Sequence, residues 1–144
     1  MRNSMKHSLV WLLLTVLSVL PLSAAGAETA EPAIDMDLST FSRGVVYAQM
    51  TQVCRTPGEY DGKLFRLRGK FNYSEANGLA RIIFSDNTGC CELALVFQPA
   101  RALRFPDDYP PLWSDIMITA RLTVDEGDPD MPCRFTEAVI EWEK

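Results

Sequence analysis

Tyr60-Asp61-Gly62-Lys63-Leu64-Phe65-Arg66-Leu67-Arg68-Gly69-Lys70-Phe71-Asn72-Tyr73 is the stretch whose reading decides the fold. A turn at Asp61-Gly62 feeds a run that alternates with period two. Phe65, Leu67, Gly69, Phe71 and Tyr73 share one face, while Arg66, Arg68, Lys70 and Asn72 share the other. Such alternation predicts a half-buried β-strand, with Gly69 where a barrel strand would coil or bulge.

Four more strands follow from the same reading. After a turn at 74–78 carrying Asn77-Gly78, a strand is expected over Leu79–Ser85, and another over Cys91–Gln98. The apolar run Leu93 to Phe97 predicts burial of that strand on both faces. A helical turn over Ala100–Phe105 and a rigid loop at 106–111 break the meander. A final pair, Ile116–Val124 and Cys133 to about Trp142, flanks an acidic loop at 125–132. Upstream, Val46, Tyr47, Met50, Val53 and Cys54 recur at helical spacing. They predict a helix capped by Ser42 and stopped at Thr56-Pro57-Gly58.

Three meandering strands, a crossover and a hairpin give an all-β class: a five-stranded OB-fold Greek-key barrel over 42–144, with the N-terminal helix packed on it. A β-sandwich would need about seven strands. Leu67, Phe71, Leu95, Ile118 and Ile140 are expected to face inward.

The helix, Tyr60-Asp61-Gly62-Lys63, the strand ending Arg68-Gly69, Cys90-Cys91 and Pro106-Asp107-Asp108-Tyr109-Pro110 together carry a resemblance. From about Val45 to Trp142 the chain resembles small exported OB-fold proteins of the tRNA-anticodon-binding-like family, whose name implies nucleic acid as ligand. Unlike the lipoprotein members of that group, it has no cysteine near the cleavage region.

The first residues read as an export signal: Arg2 and Lys6, an apolar core over Leu9–Leu20, then Ala25-Gly26-Ala27 as the best cleavage site and Ser23-Ala24-Ala25 as the alternative. This core of 12 residues is too short to span a bilayer, which takes about 20. Segment 1–27 is therefore a signal peptide, 28–41 a flexible acidic leader, and the destination periplasmic or extracellular with no stable membrane span. Cleavage removes the one histidine, His7, and two of the 14 basic residues, leaving 12 against 19 acidic. This balance argues against nucleic acid and anionic lipid as partners. Without histidine, Ser-His-Asp and Cys-His catalysis and histidine metal motifs are excluded. No catalytic residues and no cofactor are assigned.

Ligands of OB barrels lie between loops corresponding here to 74–78 and 125–132. Asp125, Asp128 and Asp130 in the second loop lack calcium-loop spacing. Arg66, Arg68 and Lys70 read as a solvated strand face opposite acids such as Glu137 and Glu141. The four cysteines Cys54, Cys90, Cys91 and Cys133 are disulfide candidates in an exported domain. In an OB barrel the third strand lies beside the fifth and parallel to it, so the strands starting at Cys91 and Cys133 begin at the same end and all four sulfurs are expected to converge. Cys133 is then expected to bond to Cys90 or Cys91, with Cys54 taking the other.

The leading expectation is an exported, disulfide-stabilised, non-catalytic binding module for a partner protein, envelope saccharide or small ligand. The alternative is a thiol-based redox or zinc protein using Cys54, Cys90, Cys91 and Cys133. Neither C-x-x-C redox spacing nor paired zinc knuckles are present.

Overall fold

The computed structural model describes residues 32–125, 127 and 132–143. The expected signal peptide, residues 28–31 of the leader, and Glu126, Asp128 and Asp130 lie outside the described residues. In chain order the elements are β1 (Met36–Asp37), α1 (Arg43–Arg55), β2 (Leu64–Ser74), β3 (Leu79–Ser85), β4 (Glu92–Pro99), β5 (Asp115–Val124) and β6 (Cys133–Glu141), with one 3-10 turn at Pro57–Glu59. No described helix is long and apolar enough to cross a membrane.

β2 is the predicted alternating strand, and within the barrel it serves two partners. Leu64 to Lys70 pair antiparallel with Arg121 to Asp115 of β5. Lys70 to Ser74 pair antiparallel with Ile83 to Leu79 of β3. The order β2-β3-β4-β6-β5 therefore closes on itself through the β2–β5 pairing, giving a five-stranded barrel. Gly69 stands next to the switch point, as its place in the alternation predicted. A Cβ there would lie 2.6 Å from Cγ1 of Ile82 and 2.8 Å from the carbonyl oxygen of Ile83. The two strands approach too closely for any side chain, so the bend requires glycine.

The interior is filled by the inward phase of each strand. Phe65, Leu67 and Phe71 of β2 meet Ile82 of β3, Phe97 of β4, Ile118 and Leu122 of β5, and Phe135 of β6. Phe65 and Phe135 pack edge-on at 5.7 Å between ring centres. α1 adds one apolar stripe, Val46, Met50 and Val53, and packs mainly on β3. Double cover therefore falls on β3, where Ile82, Ile83 and Phe84 are all buried. The expectation had placed it over 93–97, but Ala94 is exposed and Leu93 and Val96 are only half-buried.

Other departures have local causes. Residues 36–38, expected in the flexible leader, pair with β2 and bury Leu38. Ser42 occupies the N-cap position of α1 but makes no capping bond. Instead the Gly44 N–H donates to Oδ1 of Asn87, from the β3–β4 loop, at 3.0 Å. No helical turn forms over Ala100–Phe105. Side chains secure this crossover: Phe105 stacks on Tyr73 at 4.1 Å, and Tyr109 on Phe71 at 5.4 Å. Burial in this cluster pushes the Tyr109 hydroxyl above its ordinary pKa. In β6 the register slips between Thr119 and Arg121 of β5, where Glu137 takes a φ of 54°. The bulge turns Ala138 inward and Val139 outward, and leaves Ile140 half-buried. The other expected inward residues, Leu67, Phe71, Leu95 and Ile118, are buried.

Three substitutions test this packing by urea denaturation. Gly69→Ala should destabilise by about 1–3 kcal/mol, because both close neighbours must shift. Leu95→Ala should cost about 2–5 kcal/mol as a core truncation. Arg66→Ala should cost less than about 1 kcal/mol, because its pair with Glu141 is long, at 3.7 Å, and partly exposed. A greater loss from Arg66→Ala than from Leu95→Ala would contradict the assignment of faces.

Candidate functional site

The turn entering β5 runs from Pro111 to Ser114 and closes with the Ser114 N–H donating to the Pro111 carbonyl at 3.2 Å. Its third residue is Trp113, with φ 66°. A turn with positive φ at that position ordinarily carries glycine or asparagine. Beyond the last regular pair, Lys70 with Asp115, the Trp113 N–H donates to the Phe71 carbonyl at 2.7 Å. The Phe71 N–H donates to the Ser114 carbonyl at 2.9 Å. Two residues thus oppose one, the first in the left-handed region, as in a G1-type bulge whose usual glycine is replaced by tryptophan. The left-handed conformation costs a side-chain-bearing residue roughly 1–2 kcal/mol. Trp113 does not recover that in the core: it is 53% exposed.

Trp113 borders a cleft of about 1050 Å³ that opens over the bend at Gly69. Its buried lining is Val46, Ile83, Phe84 and Ile116; aromatic rings come from Phe41, Trp113 and Trp142. Of the three tryptophans in the chain, the two beyond the expected signal peptide both line this cleft. Arg43, Arg68 and Lys70 border it alongside Glu92, Asp115, Glu141 and Glu143. Lys70 is engaged by Asp115 at 2.8 Å. Arg68 is exposed and forms no ion pair among the described residues. With three cations against four carboxylates among the described residues, this lining sets up no positive field to gather a polyanion.

Of the basic row, Arg66 reaches Glu141 as expected, whereas Glu137 pairs with Arg121 at 3.5 Å. Among the described residues, none of loop 74–78 and none of Asp125, Gly127 and Pro132 in the second loop lines the cleft. In the second loop, Asp125 is committed to an ion pair with Arg134 and accepts the Gly127 N–H at 3.2 Å.

All four cysteines are thiols. They fall into two separate pairs, which corrects the expected convergence and the expected bonding of Cys133 to Cys90 or Cys91. The parallel pairing of β4 with β6 sets Phe97 opposite Phe135. Cys133 is thereby level with Leu95, four residues and about 13 Å of strand away from Cys91. Cys133, buried, instead meets Cys54 at the end of α1. The Cys54 thiol donates a hydrogen bond to Cys133, which raises the Cys54 pKa and lowers that of Cys133; burial also holds Cys54 protonated.

Cys90 and Cys91 are exposed, with their sulfurs 3.5 Å apart. Both precede β4, so the side-to-side alternation of a strand does not separate them. Cys91 is raised by the Cys90 thiol beside it and by that group's charge. Asp86 is held below the ordinary carboxylate range, chiefly by the Thr88 hydroxyl.

No known family model matches the chain, and a search of curated proteins finds no significant match.

The pairing predicts a two-step thiol titration of the reduced native protein. Cys90 and Cys91 should react rapidly with an aromatic disulfide reagent, and the half-buried Cys54 and buried Cys133 more slowly. Alkylation followed by peptide mapping assigns each step. Equal rates at all four positions would contradict the two-site arrangement.

Proposed function

We propose that this chain is an exported, non-catalytic OB-fold binding module whose ligand is a saccharide held in the Trp113 cleft. The strand order, with the first strand bonded to the second and the fourth and the third beside the fifth, supports the OB-fold reading. One observation carries the functional one: a tryptophan occupies a left-handed turn position suited to glycine and is then presented to solvent beside a cleft. Backbone strain at an exposed aromatic side chain serves no packing purpose, and strain of this kind clusters at ligand sites.

The ligand class follows from the lining. Flat aromatic faces offer apolar stacking to the C–H faces of a sugar ring. Arg68 and the carboxylates of Glu92 and Glu143 offer donors and acceptors to its hydroxyls. A nucleic acid would need a net positive groove, which this lining lacks. A partner protein is the competing ligand.

Tryptophan fluorescence of the protein beginning at Glu28 tests the reading, since both of its indoles border the cleft. Chitooligosaccharides or muramyl disaccharides should shift the emission, whereas a deoxythymidine oligomer should not. Trp113→Ala should weaken saccharide binding at least tenfold. Trp113→Gly should abolish binding yet leave stability within about 1 kcal/mol of the parent, because relief of backbone strain offsets the lost contacts. A shift with the oligonucleotide alone, or wild-type saccharide affinity in Trp113→Gly, would overturn it.

A further inference from the structure

The β3–β4 loop, far from the tryptophan turn in sequence, gathers a second set of chemically active groups. One sulfur each from Cys90 and Cys91 and one carboxylate oxygen of Asp86 all lie within 4.8 Å of one another. Sγ of Cys90 is 3.5 Å from Sγ of Cys91 and 3.3 Å from Oδ2 of Asp86.

The loop holds this arrangement by its backbone. The Asp86 N–H donates to the Cys91 carbonyl at 3.0 Å, and Oδ1 of Asp86 accepts the Cys90 N–H at 3.1 Å. Gly89, with φ 71°, makes the turn between them. Asn87, inside the same loop, is tied to the start of α1 through Gly44. The three donors therefore stand on a short, doubly anchored loop whose glycine cannot readily be replaced.

We propose that Asp86, Cys90 and Cys91 bind a zinc ion, with the fourth coordination position open. Three acidic groups converging in this way would carry three negative charges when ionised, and no described Lys or Arg pairs with Asp86. A cation that displaces the two thiol protons balances that charge. Zn–S bonds of about 2.3 Å and Zn–O bonds of about 2.0 Å give tetrahedral edges of about 3.5–3.8 Å, close to the separations already present. Two thiolates with one carboxylate suit a borderline ion such as zinc; an all-sulfur set would be expected for copper(I), and an all-oxygen set for calcium or magnesium. This set differs from the four-cysteine site considered from sequence, because Cys54 and Cys133 are not part of the group.

On binding, each thiol releases its proton to solvent and its sulfur lone pair forms the metal bond, with no change of oxidation state.

Cobalt(II), as a spectroscopic substitute for zinc, tests the site on the reduced protein held without oxygen. One equivalent should produce sulfur-to-cobalt charge-transfer absorption in the near ultraviolet, and zinc should bleach it. The absorption should disappear in the Cys90→Ser/Cys91→Ser protein and persist in Cys54→Ser. Asp86→Asn retains the Oδ1 acceptor of the loop but not the charge, and should weaken cobalt at least tenfold. Circular dichroism verifies that each variant is folded, and both exposed cysteines tolerate serine without loss of core. No charge-transfer band in the parent protein, a band that survives loss of Cys90 and Cys91, or unchanged affinity in Asp86→Asn would each overturn the proposal.

Discussion

One strand bonded along both edges holds the molecule together. The first half of β2 needs β5 and its second half needs β3, so the barrel can close only if the strand bends between them. Gly69 permits that bend by letting the backbone of β3 approach to a distance no side chain would allow. The rest of the architecture answers to this point. The aromatic crossover seals the far half of β2 through Tyr73 and Phe71, and α1 covers β3, the strand paired with that same half. The cleft lies over the same bend because two strands diverge there and nothing described fills the space between them.

Trp113 shows how barrel closure and the lining of the cleft are connected. Its backbone extends the β2–β5 ladder by one bulged pair on Phe71, so the turn helps hold the barrel shut. Its conformation is the part that local energetics disfavour. Stability would be better served by glycine, whereas an aromatic platform at the mouth of the cleft needs tryptophan. A residue chosen against the local preference, and then left exposed, marks a position shaped by something other than folding.

Much of the barrel was legible because its signals are local. Alternation in Phe65 to Tyr73, the glycine at its centre and Asn77-Gly78 between the next strands each act over a few residues. The strand bounds that follow from them match at Leu79–Ser85 and within a residue elsewhere. What could not be read depends on distant partners. The cap of α1 comes from Asn87, 43 residues away from Gly44. The offset that separates Cys91 from Cys133 arises in a parallel pair, whose register no turn fixes. Nothing in Pro111-Leu112-Trp113-Ser114 announces a left-handed residue, since the glycine that normally would is missing. The vicinal thiols were legible as residues but not as two sulfurs in contact, because their loop rather than a strand sets their direction.

Closure of the barrel through β2 is the claim on which the cleft and its tryptophan rest. The most direct measurement is the pattern of cross-strand proton contacts in solution by nuclear magnetic resonance. The account predicts contacts of Leu67 with Ile118 and of Phe71 with Ile82 in the same folded species, with protected amides on both halves of β2. If only one of these pairings were present, or if the two belonged to different exchanging species, β2 would not be shared, the barrel would be open, and the account would be wrong.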